Sequence, residues 1–193
     1  SEYDISIQSG KTVFEKLDRG LWEVYLIVIN ASEWVAVDDQ NKKYSVNKGA
    51  FTLQSDETLV NLDIIFNAVH GAPGENGQLA ALWELLKIPF SSCNSYNSGL
   101  THNKRDCLSV LRNLKVPTAK HFSINKGTKI NEDLIQSTVG LPCFVKANRA
   151  GSSFGVYKVT AKKDLTTFIE KAFEEDSQVI IESALEGREV SVG

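Results

Sequence analysis

The spacing of apolar residues in the first half of the chain predicts helices and strands in turn. Residues 3–19 carry apolar side chains at roughly helical intervals, whereas residues 22–29 are rich in the β-branched and aromatic side chains that favour a strand. Residues 33–54 alternate apolar with polar positions, which predicts one or two short antiparallel strands. A nearly continuous apolar run at 62–69 predicts a buried parallel strand, and residues 76–87 have the single apolar face of a helix.

The second half of the chain shows a different order of elements. A helical pattern over 101–114 is followed by short patterns of both kinds, with strands near 120–124, 142–146, 155–160 and 178–182 and helices near 131–138 and 163–174. We therefore predict two domains. Residues 1–95 form an α/β domain with an open parallel sheet, and residues 96–193 form an α+β domain with an antiparallel sheet and helices on one face.

Composition narrows the possible functions. The 193 residues are 42% hydrophobic and 23% charged, ordinary values for a globular protein, and their formal net charge is −3. That charge lacks the basic excess of a nucleic-acid binder, and no apolar run is long enough to cross a membrane, so we expect neither partner. The three cysteines and three histidines show no metal-ligand spacing. We expect a cytoplasmic protein with reduced thiols and no structural metal site.

A loop of small residues follows the apolar strand that ends at Lys146. The segment 147–155 contains two glycines and two serines. Such a loop lets backbone N–H groups approach a phosphate closely, and a lysine ammonium supplies the opposite charge. It is not a Walker loop, because a strand and not a helix follows it, so a bound phosphate would be covered by a hairpin. A mobile hairpin loop beside a solvated lysine is the alternative interpretation.

Three further sites place polar side chains where they could bind a ligand. Glu182 ends a short apolar strand and Glu189 follows seven residues later, so the segment between them could read a flat heterocycle while a carboxylate binds a ribose. His70 and Glu75 lie among glycines after the predicted parallel strand, and open α/β sheets bind ligands at such strand ends. Lys104, near a helix start, could reach a phosphate. Ordinary turns, surface acids and a solvated basic helix face are the alternative interpretations of these residues.

Several of these segments match one set of motifs, in order, along essentially the whole chain. In the first half, Ser1-Glu2-x-x-Ile5-Ser6 matches the motif S-E-x-x-[VI]-S, and His70-Gly-x-x-Gly-Glu75-Asn76-Gly matches H-G-x-x-G-E-D-G. In the second half, Asn103-Lys104 matches the end of M-D-K, residues 145–155 match V-K-P-x-x-x-G-S-S-x-G, and residues 182–189 match E-x-x-x-x-G-x-E. Asn76 and Ala147 depart from the pattern without removing a proposed catalytic group. The set resembles the D-alanine–D-alanine ligases of the ATP-grasp superfamily.

This resemblance implies a fold and a two-step reaction. A Rossmann-like domain that precedes the ATP-grasp region would be followed by the small ATP-grasp subdomain. ATP would phosphorylate the carboxylate of a first D-alanine, and the amine of a second would attack the acyl phosphate, giving D-alanyl-D-alanine for peptidoglycan. The resemblance also implies Mg²⁺, with ligands expected in a further C-terminal part after Glu189, and a homodimer.

The resemblance assigns a role to each matching residue. The implied ATP-binding residues are Lys104 and Lys146 on the phosphates, Ser153 in the lid, Glu182 and the Leu185 backbone on the adenine, and Glu189 on the ribose. The implied catalytic residues are Glu2 and Ser152: Glu2 binds the ammonium of the first D-alanine, and Ser152 completes that pocket with His70. His70 and Glu75 are the implied substrate-binding residues, and Glu75 is expected to support the site without touching the substrate directly.

Two alternatives to this function remain at the level of the sequence. One is another ATP-grasp carboxylate–amine ligase, such as a D-alanine–D-lactate or dipeptide ligase, since the second substrate depends mostly on the expected C-terminal part. The other is a non-catalytic α/β binding module. The sequence contains no methionine and opens on helix-capping residues. We therefore expect a fragment that lacks both ends of its parent protein and does not turn over alone.

Overall fold

The computed structural model describes residues 2–56, 58–151 and 154–190. The chain divides into two compact units, residues 1–99 and 100–193. Each unit combines helices with a sheet of its own, which confirms the predicted mixed α/β class. No helix in the described part of the chain is both long enough and apolar enough to cross a bilayer.

The first unit is a meander of five short strands with helices before and after it. Its elements are α1 (Glu2–Lys16), β1 (Leu26–Ile29), β2 (Trp34–Val37), β3 (Lys43–Asn47), β4 (Thr52–Gln54), β5 (Leu59–Val60) and α2 (Gln78–Leu86), and α3 (Ser95–His102) begins in it. Neighbouring strands pair antiparallel in the order β1-β2-β3-β4-β5.

Side-chain oxygens in the turns support this meander. Asp38 Oδ1 accepts hydrogen bonds of 2.9 Å from two backbone N–H groups in the turn between β2 and β3. Asn47 Oδ1 accepts two of 3.0 Å in the next turn. Asp and Asn side chains thus take over hydrogen bonds that the turn backbone cannot make with itself. The alternation over 33–54 therefore becomes three strands, and β3 buries Tyr44 and Val46 on one face.

A series of aromatic contacts forms the core between the meander and α2. Phe51 lies between Trp34 and Trp83, whose ring centroids are 6.1 and 5.7 Å away, and Trp83 also contacts Phe90 at 5.4 Å. The first two pairs meet edge to face, an arrangement that the ring quadrupoles favour. Leu79 of α2 belongs to the same cluster, so the apolar face predicted for this helix is the one that is buried.

The structure corrects one part of the prediction, the open parallel sheet of the first unit. The described strands of this unit pair antiparallel, and parallel pairing is limited to a single bridge between Ile65 and Phe90. The apolar run at 62–69 is also not buried on both faces, because Ile64 is 51% and Phe66 is 59% exposed. The run of apolar residues therefore identified an extended segment but not a strand within a ladder.

Hydrogen bonds to side chains explain why the segment 62–69 does not form a longer ladder. The backbone N–H of Asn67 donates to Ser91 Oγ at 3.0 Å, and that of Val69 donates to the Asn67 side chain at 3.1 Å. The N–H of His70 donates to Ser6 Oγ at 2.9 Å. Side-chain oxygens thus satisfy donors that a neighbouring strand would otherwise bind.

The second unit is a four-stranded antiparallel sheet with helices packed against it. Its elements are α4 (Lys104–Asn113), β6 (His121–Asn125), α5 (Glu132–Val139), β7 (Cys143–Ala147), β8 (Val156–Val159), α6 (Leu165–Ala172) and β9 (Gln178–Ser183). The strand order is β6-β9-β7-β8. This arrangement confirms the antiparallel sheet predicted for the second half of the chain.

One apolar core joins this sheet to α5 and α6. Ile135 and Ile169, one from each helix, are fully buried together with Val145 of β7 and Ile181 of β9. The odd-numbered side chains of β7 face this core, so the even-numbered ones face the other way. The sheet therefore presents Lys146 on the surface that the core does not use.

We expect Ile169→Ala to destabilise the second unit strongly. Removing a fully buried isoleucine leaves a cavity under β7, and such substitutions cost about 2–5 kcal/mol. Thr167→Ala, at an exposed position of the same helix, is the matched control and should change the free energy of unfolding by less than about 0.5 kcal/mol. Urea unfolding measures both. Equal effects of the two substitutions would contradict this description of the core.

Candidate functional site

Lys146 stands near the end of β7 and forms an ion pair across the sheet. Its Nζ donates a hydrogen bond of 2.5 Å to Glu182 Oε2 on the neighbouring strand β9. Both side chains are partly buried, so water and salt screen this pair less than a fully exposed pair. The Lys146 ammonium also lies 5.7 Å from the ring centre of Phe144, on the same face of β7.

Lys104, the first residue of α4, lies against the loop that follows β7. Its Nζ donates a hydrogen bond of 2.6 Å to the carbonyl oxygen of Ala150 and lies 3.4 Å from that of Asn148. Lys146 is two residues before Asn148 in the chain. The structure therefore brings Lys104 to the loop that directly follows the strand of Lys146, although the two lysines are 42 positions apart in the sequence.

Two of the predicted site residues, Ser152 and Ser153, lie outside the described residues, and their roles stay predictions. The hairpin that carries them is closed by a hydrogen bond of 3.0 Å from the N–H of Ala147 to the carbonyl of Gly155. Gly155 has a φ of +64°, and a Cβ there would crowd Ala147 and Glu175. A glycine is favoured at this point, because φ is positive and a Cβ would force Ala147 or Glu175 to shift.

An ion pair anchors the same loop to the residues before β9. Arg149 donates to Asp176 three times, from Nη2 at 2.6 Å, from Nε at 3.0 Å and from its backbone N–H at 2.8 Å, and the Asp176 side chain is 6% exposed. Burial raises the pKa of Asp176, but hydrogen bonds from Arg149 and from the backbone N–H of Gln178 outweigh it and hold this pKa below its ordinary value. The ionised carboxylate therefore stabilises the loop.

The remaining predicted ATP-binding residues follow β9. Glu182 lies within β9 and contacts Lys146, as described above. Leu185 and Glu189 are exposed on the irregular segment after the strand. Their proposed roles rest on the motif alone.

The first unit brings three of its predicted residues, Glu2, His70 and Glu75, to one place. His70 Nε2 lies 3.2 Å from Ser9 Oγ, and its Nδ1 lies 3.8 Å from Glu75 Oε1. Ser6 connects the two segments, because its hydroxyl donates to the carbonyl of Glu2 at 2.8 Å and accepts the backbone N–H of His70 at 2.9 Å. One face of α1 is thus fixed against the loop that begins at His70.

Gly71 allows the Glu2 carboxylate to reach this loop. Its φ is +69°, and a Cβ at this position would overlap Glu2 Oε2. A Cβ at Gly74 would in the same way overlap the carbonyl oxygen of Val69. Of the two glycines in the H-G-x-x-G segment, Gly71 is therefore needed for the close approach of Glu2, and Gly74 for the close approach of the Val69 backbone.

Sequence reasoning missed four residues that hold the site together: Ser6, Ser9, Asn148 and Asp176. For the serines a signal existed, because Glu2, Ser6 and Ser9 are spaced four and three positions apart and so share one helix face. For Asn148 and Asp176 there was none, since their partners are distant in the sequence.

No metal site is evident in the residues that the structure describes, because no three histidine, cysteine, aspartate or glutamate side chains are grouped there. The described residues therefore offer no grouped ligand set for the Mg²⁺ that the resemblance implies.

Both halves of the chain match the same family in a comparison with known families. Residues 1–93 match the description "D-ala D-ala ligase N-terminus", and residues 110–193 match "D-ala D-ala ligase C-terminus". The chain belongs to the D-alanine–D-alanine ligase family. The family resemblance predicted from the motifs is thereby confirmed.

Relatives of known name support the assignment. The D-alanine–D-alanine ligase of Christiangramia forsetii is 49% identical over 193 residues, which are 100% of this chain and 59% of that protein. The ligase of Flavobacterium johnsoniae is 46% identical, again over 100% of this chain and 60% of that protein. The chain spans about 60% of the length of the curated relatives it matches.

Solved structures of the family share the fold. The VanG D-Ala:D-Ser ligase from Enterococcus faecalis aligns over 97% of this chain and 60% of its own, with a TM-score of 0.81 and 29% identity. The D-alanine–D-alanine ligase from Bacillus anthracis complexed with ATP aligns over 66% of this chain and 42% of its own, with a TM-score of 0.59 and 32% identity. The predicted ATP-grasp fold is confirmed by these likenesses.

We expect the Arg149–Asp176 pair to make stability depend on pH. Because the folded-state pKa of Asp176 is lowered, its contribution is complete above the unfolded pKa of about 3.9 and is lost as the pH falls through the folded value. Asp176→Asn should therefore cost about 1–2 kcal/mol at pH 7 and progressively less below about pH 4. Chemical unfolding of both proteins from pH 2 to 7 measures this, and a pH-independent difference would contradict it.

Proposed function

We propose that this chain is part of an ATP-dependent D-alanine–D-alanine ligase. Residues 1–95 would be the substrate-binding domain and residues 96–193 the central part of the ATP-grasp domain. The observation that carries the proposal is the hydrogen bond from Lys104 to the loop that follows the strand of Lys146, because lysines from two elements that meet at one short segment are suited to a polyphosphate. The family membership of both halves supports it.

The proposed reaction activates a carboxylate, which is a poor electrophile. The γ-phosphoryl group of ATP passes to a carboxylate oxygen of the first D-alanine, giving an acyl phosphate and ADP. The amine of the second D-alanine attacks the acyl carbon, the bond to phosphate breaks, and the amine loses a proton. Negative charge accumulates on the transferring phosphoryl group and on the tetrahedral intermediate, so fixed cations and N–H donors accelerate both steps.

We assign the nucleotide-binding roles within the second unit. Lys104 and Lys146 bind ATP phosphates, Glu182 and the backbone of Leu185 read the adenine, and Glu189 binds the ribose. Both lysines now donate to protein oxygens, a carboxylate and two carbonyls. A phosphate oxygen is an acceptor of the same kind and can replace them with little movement of either ammonium group.

We assign recognition of the first D-alanine to the first unit. Glu2 binds the ammonium group, and its position at the start of α1 stabilises the carboxylate in any case. His70 contributes a ring nitrogen to the same pocket, and Ser9 and Glu75 set the direction of the ring. Homodimer formation, Mg²⁺ dependence and a cytoplasmic location belong to the proposal as properties that the family resemblance implies.

The second substrate is a separate question, because the fold does not fix it. The VanG D-Ala:D-Ser ligase shares the fold of this chain at a TM-score of 0.81. We propose D-alanine as the second substrate because relatives that are 49% and 46% identical to this chain are named D-alanine–D-alanine ligases. Analysis of the products formed from D-alanine together with D-alanine, D-serine or D-lactate tests this choice.

Lys146→Ala tests the nucleotide site, in the protein as its gene encodes it. We expect kcat/KM for ATP to fall about 100-fold in a phosphate-release assay with D-alanine, because a cation at the transferring phosphates is lost. Lys162→Ala is the matched control, since Lys162 forms a lysine–carboxylate bond of the same length, 2.5 Å to Asp133, away from the loop. Its activity should stay within about twofold of wild type.

The opposite result would be equally clear. If Lys146→Ala lowered activity no more than Lys162→Ala, or lowered the melting temperature in step with activity, the lysine would be a structural residue of the hairpin. Absence of D-alanine-dependent phosphate release in the unmodified protein would contradict the proposed function itself.

Gly71→Ala tests the D-alanine site. The new Cβ must displace the Glu2 carboxylate, so we expect KM for the first D-alanine to rise about tenfold while KM for ATP is unchanged. Gly127→Ala is the matched control, because Gly127 also has positive φ, +85°, but has no atom near the position of a Cβ. Both substitutions carry a similar backbone cost of about 1–2 kcal/mol. Equal effects on KM would show that the backbone strain, and not Glu2, is responsible.

A further inference from the structure

Asn148 is a buried polar residue at the point where β7 ends. Its side chain is 1% exposed, yet each of its polar groups has a partner. The backbone N–H donates to the carbonyl of Gln178 at 2.9 Å, and Nδ2 donates to the Gln178 side chain at 3.0 Å and to Asn103 Oδ1 at 2.8 Å. Asn148 Oδ1 accepts the backbone N–H of Arg105 at 2.8 Å. The residue therefore joins the end of β7 to β9 and to the start of α4.

The bonds to α4 satisfy the first N–H groups of that helix, which have no partner within the helix. The N–H of Lys104 donates to the carbonyl of Asn148 at 3.3 Å, and the N–H of Arg105 donates to its side chain. The third N–H, that of Asp106, donates to Asn103 Oδ1 at 3.2 Å, the same oxygen that Asn148 Nδ2 binds. Asn148 and Asn103 together cap the helix that begins at Lys104.

This cap fixes one lysine relative to the other. Lys146 precedes Asn148 by two residues on a strand held on both sides by β8 and β9. Lys104 is the first residue of the helix that Asn148 caps, and its ammonium bonds to the loop. This connection fixes the relative position of the two backbone segments from which the lysine side chains extend, before any phosphate arrives.

We propose that Asn148 is a positioning residue that holds Lys104 and Lys146 at the spacing a nucleotide polyphosphate requires. The inference rests on the proposed function, in which both lysines bind ATP phosphates. Asn148 itself contacts no phosphate. It acts by pre-organising the two cations, so that binding need not order them.

The test compares nucleotides with and without phosphates. We expect Asn148→Ala, in the protein as its gene encodes it, to weaken binding of ATP and of ADP about tenfold in isothermal titration calorimetry, since preorganisation of two cations is lost. Adenosine binding should change less than about twofold, because the base and ribose contacts do not involve α4. A residue with a purely structural role would weaken all three ligands together.

Asn103→Ala serves as a second variant, for the case that Asn148→Ala does not fold. It removes the Asn103 oxygen that connects Asn148 to α4. It should therefore also weaken ATP binding much more than adenosine binding. Asn131→Ala is its matched control, because Asn131 caps α5 in the same way, with its side chain accepting the N–H of Leu134 at 3.1 Å. Both substitutions lose one helix cap, but we expect Asn131→Ala to leave ATP affinity unchanged.

The outcomes separate this inference from the proposed function. If Lys104→Ala and Lys146→Ala weaken ATP binding but Asn148→Ala and Asn103→Ala do not, the positioning role is overturned and the nucleotide site stands. Parallel losses of ATP and adenosine affinity also overturn it. If the unmodified protein gains no affinity from the phosphates of ATP, and the lysine variants change nothing, the proposed nucleotide site is wrong and the inference falls with it.

Discussion

Burial of alternate side chains along β7 is the constraint on which the candidate nucleotide site depends. Cys143, Val145 and Ala147 pack into the core, so Lys146 must point to the opposite face. A shift of one residue would place the ammonium in an apolar core, and the cost of burying an unpaired charge makes that register inaccessible. The same pairing places Glu182 of β9 opposite Phe144, on the face of Lys146, and the Lys146 ammonium reaches it diagonally.

Three anchors then hold the loop that follows this strand. Asn148 binds the residues at the start of β9, Arg149 binds Asp176, and Lys104 binds the carbonyl of Ala150. Each anchor uses a buried or charged partner, which makes the base of the hairpin better fixed than a surface loop with solvated backbone. The fold therefore positions the groups that are proposed to bind phosphate, and nucleotide binding does not have to order them.

The first unit uses a different device for its polar cluster. Glu2, Ser6 and Ser9 lie on one face of α1, and the loop beginning at His70 approaches that face closely because Gly71 and Gly74 lack side chains. The Ser6 hydroxyl accepts the backbone N–H of His70, a donor that a neighbouring strand would otherwise bind, and Ser9 contacts the His70 ring. The same contacts that interrupt the predicted parallel ladder therefore bring His70 to Glu2.

The sequence by itself determined the family, the mixed α/β class and the antiparallel second sheet, because motifs, strand alternation and helical spacing are local properties of the chain. It also identified Lys104, Lys146 and Glu182, which the structure brings to one end of β7. Only the tertiary structure decided what those side chains contact, that 62–69 makes one bridge and no ladder, and that Asn148 connects two elements. Hydrogen-bond partners more than 40 positions apart leave no periodic signal in the sequence. Strand pairing in turn depends on which segments the fold places side by side.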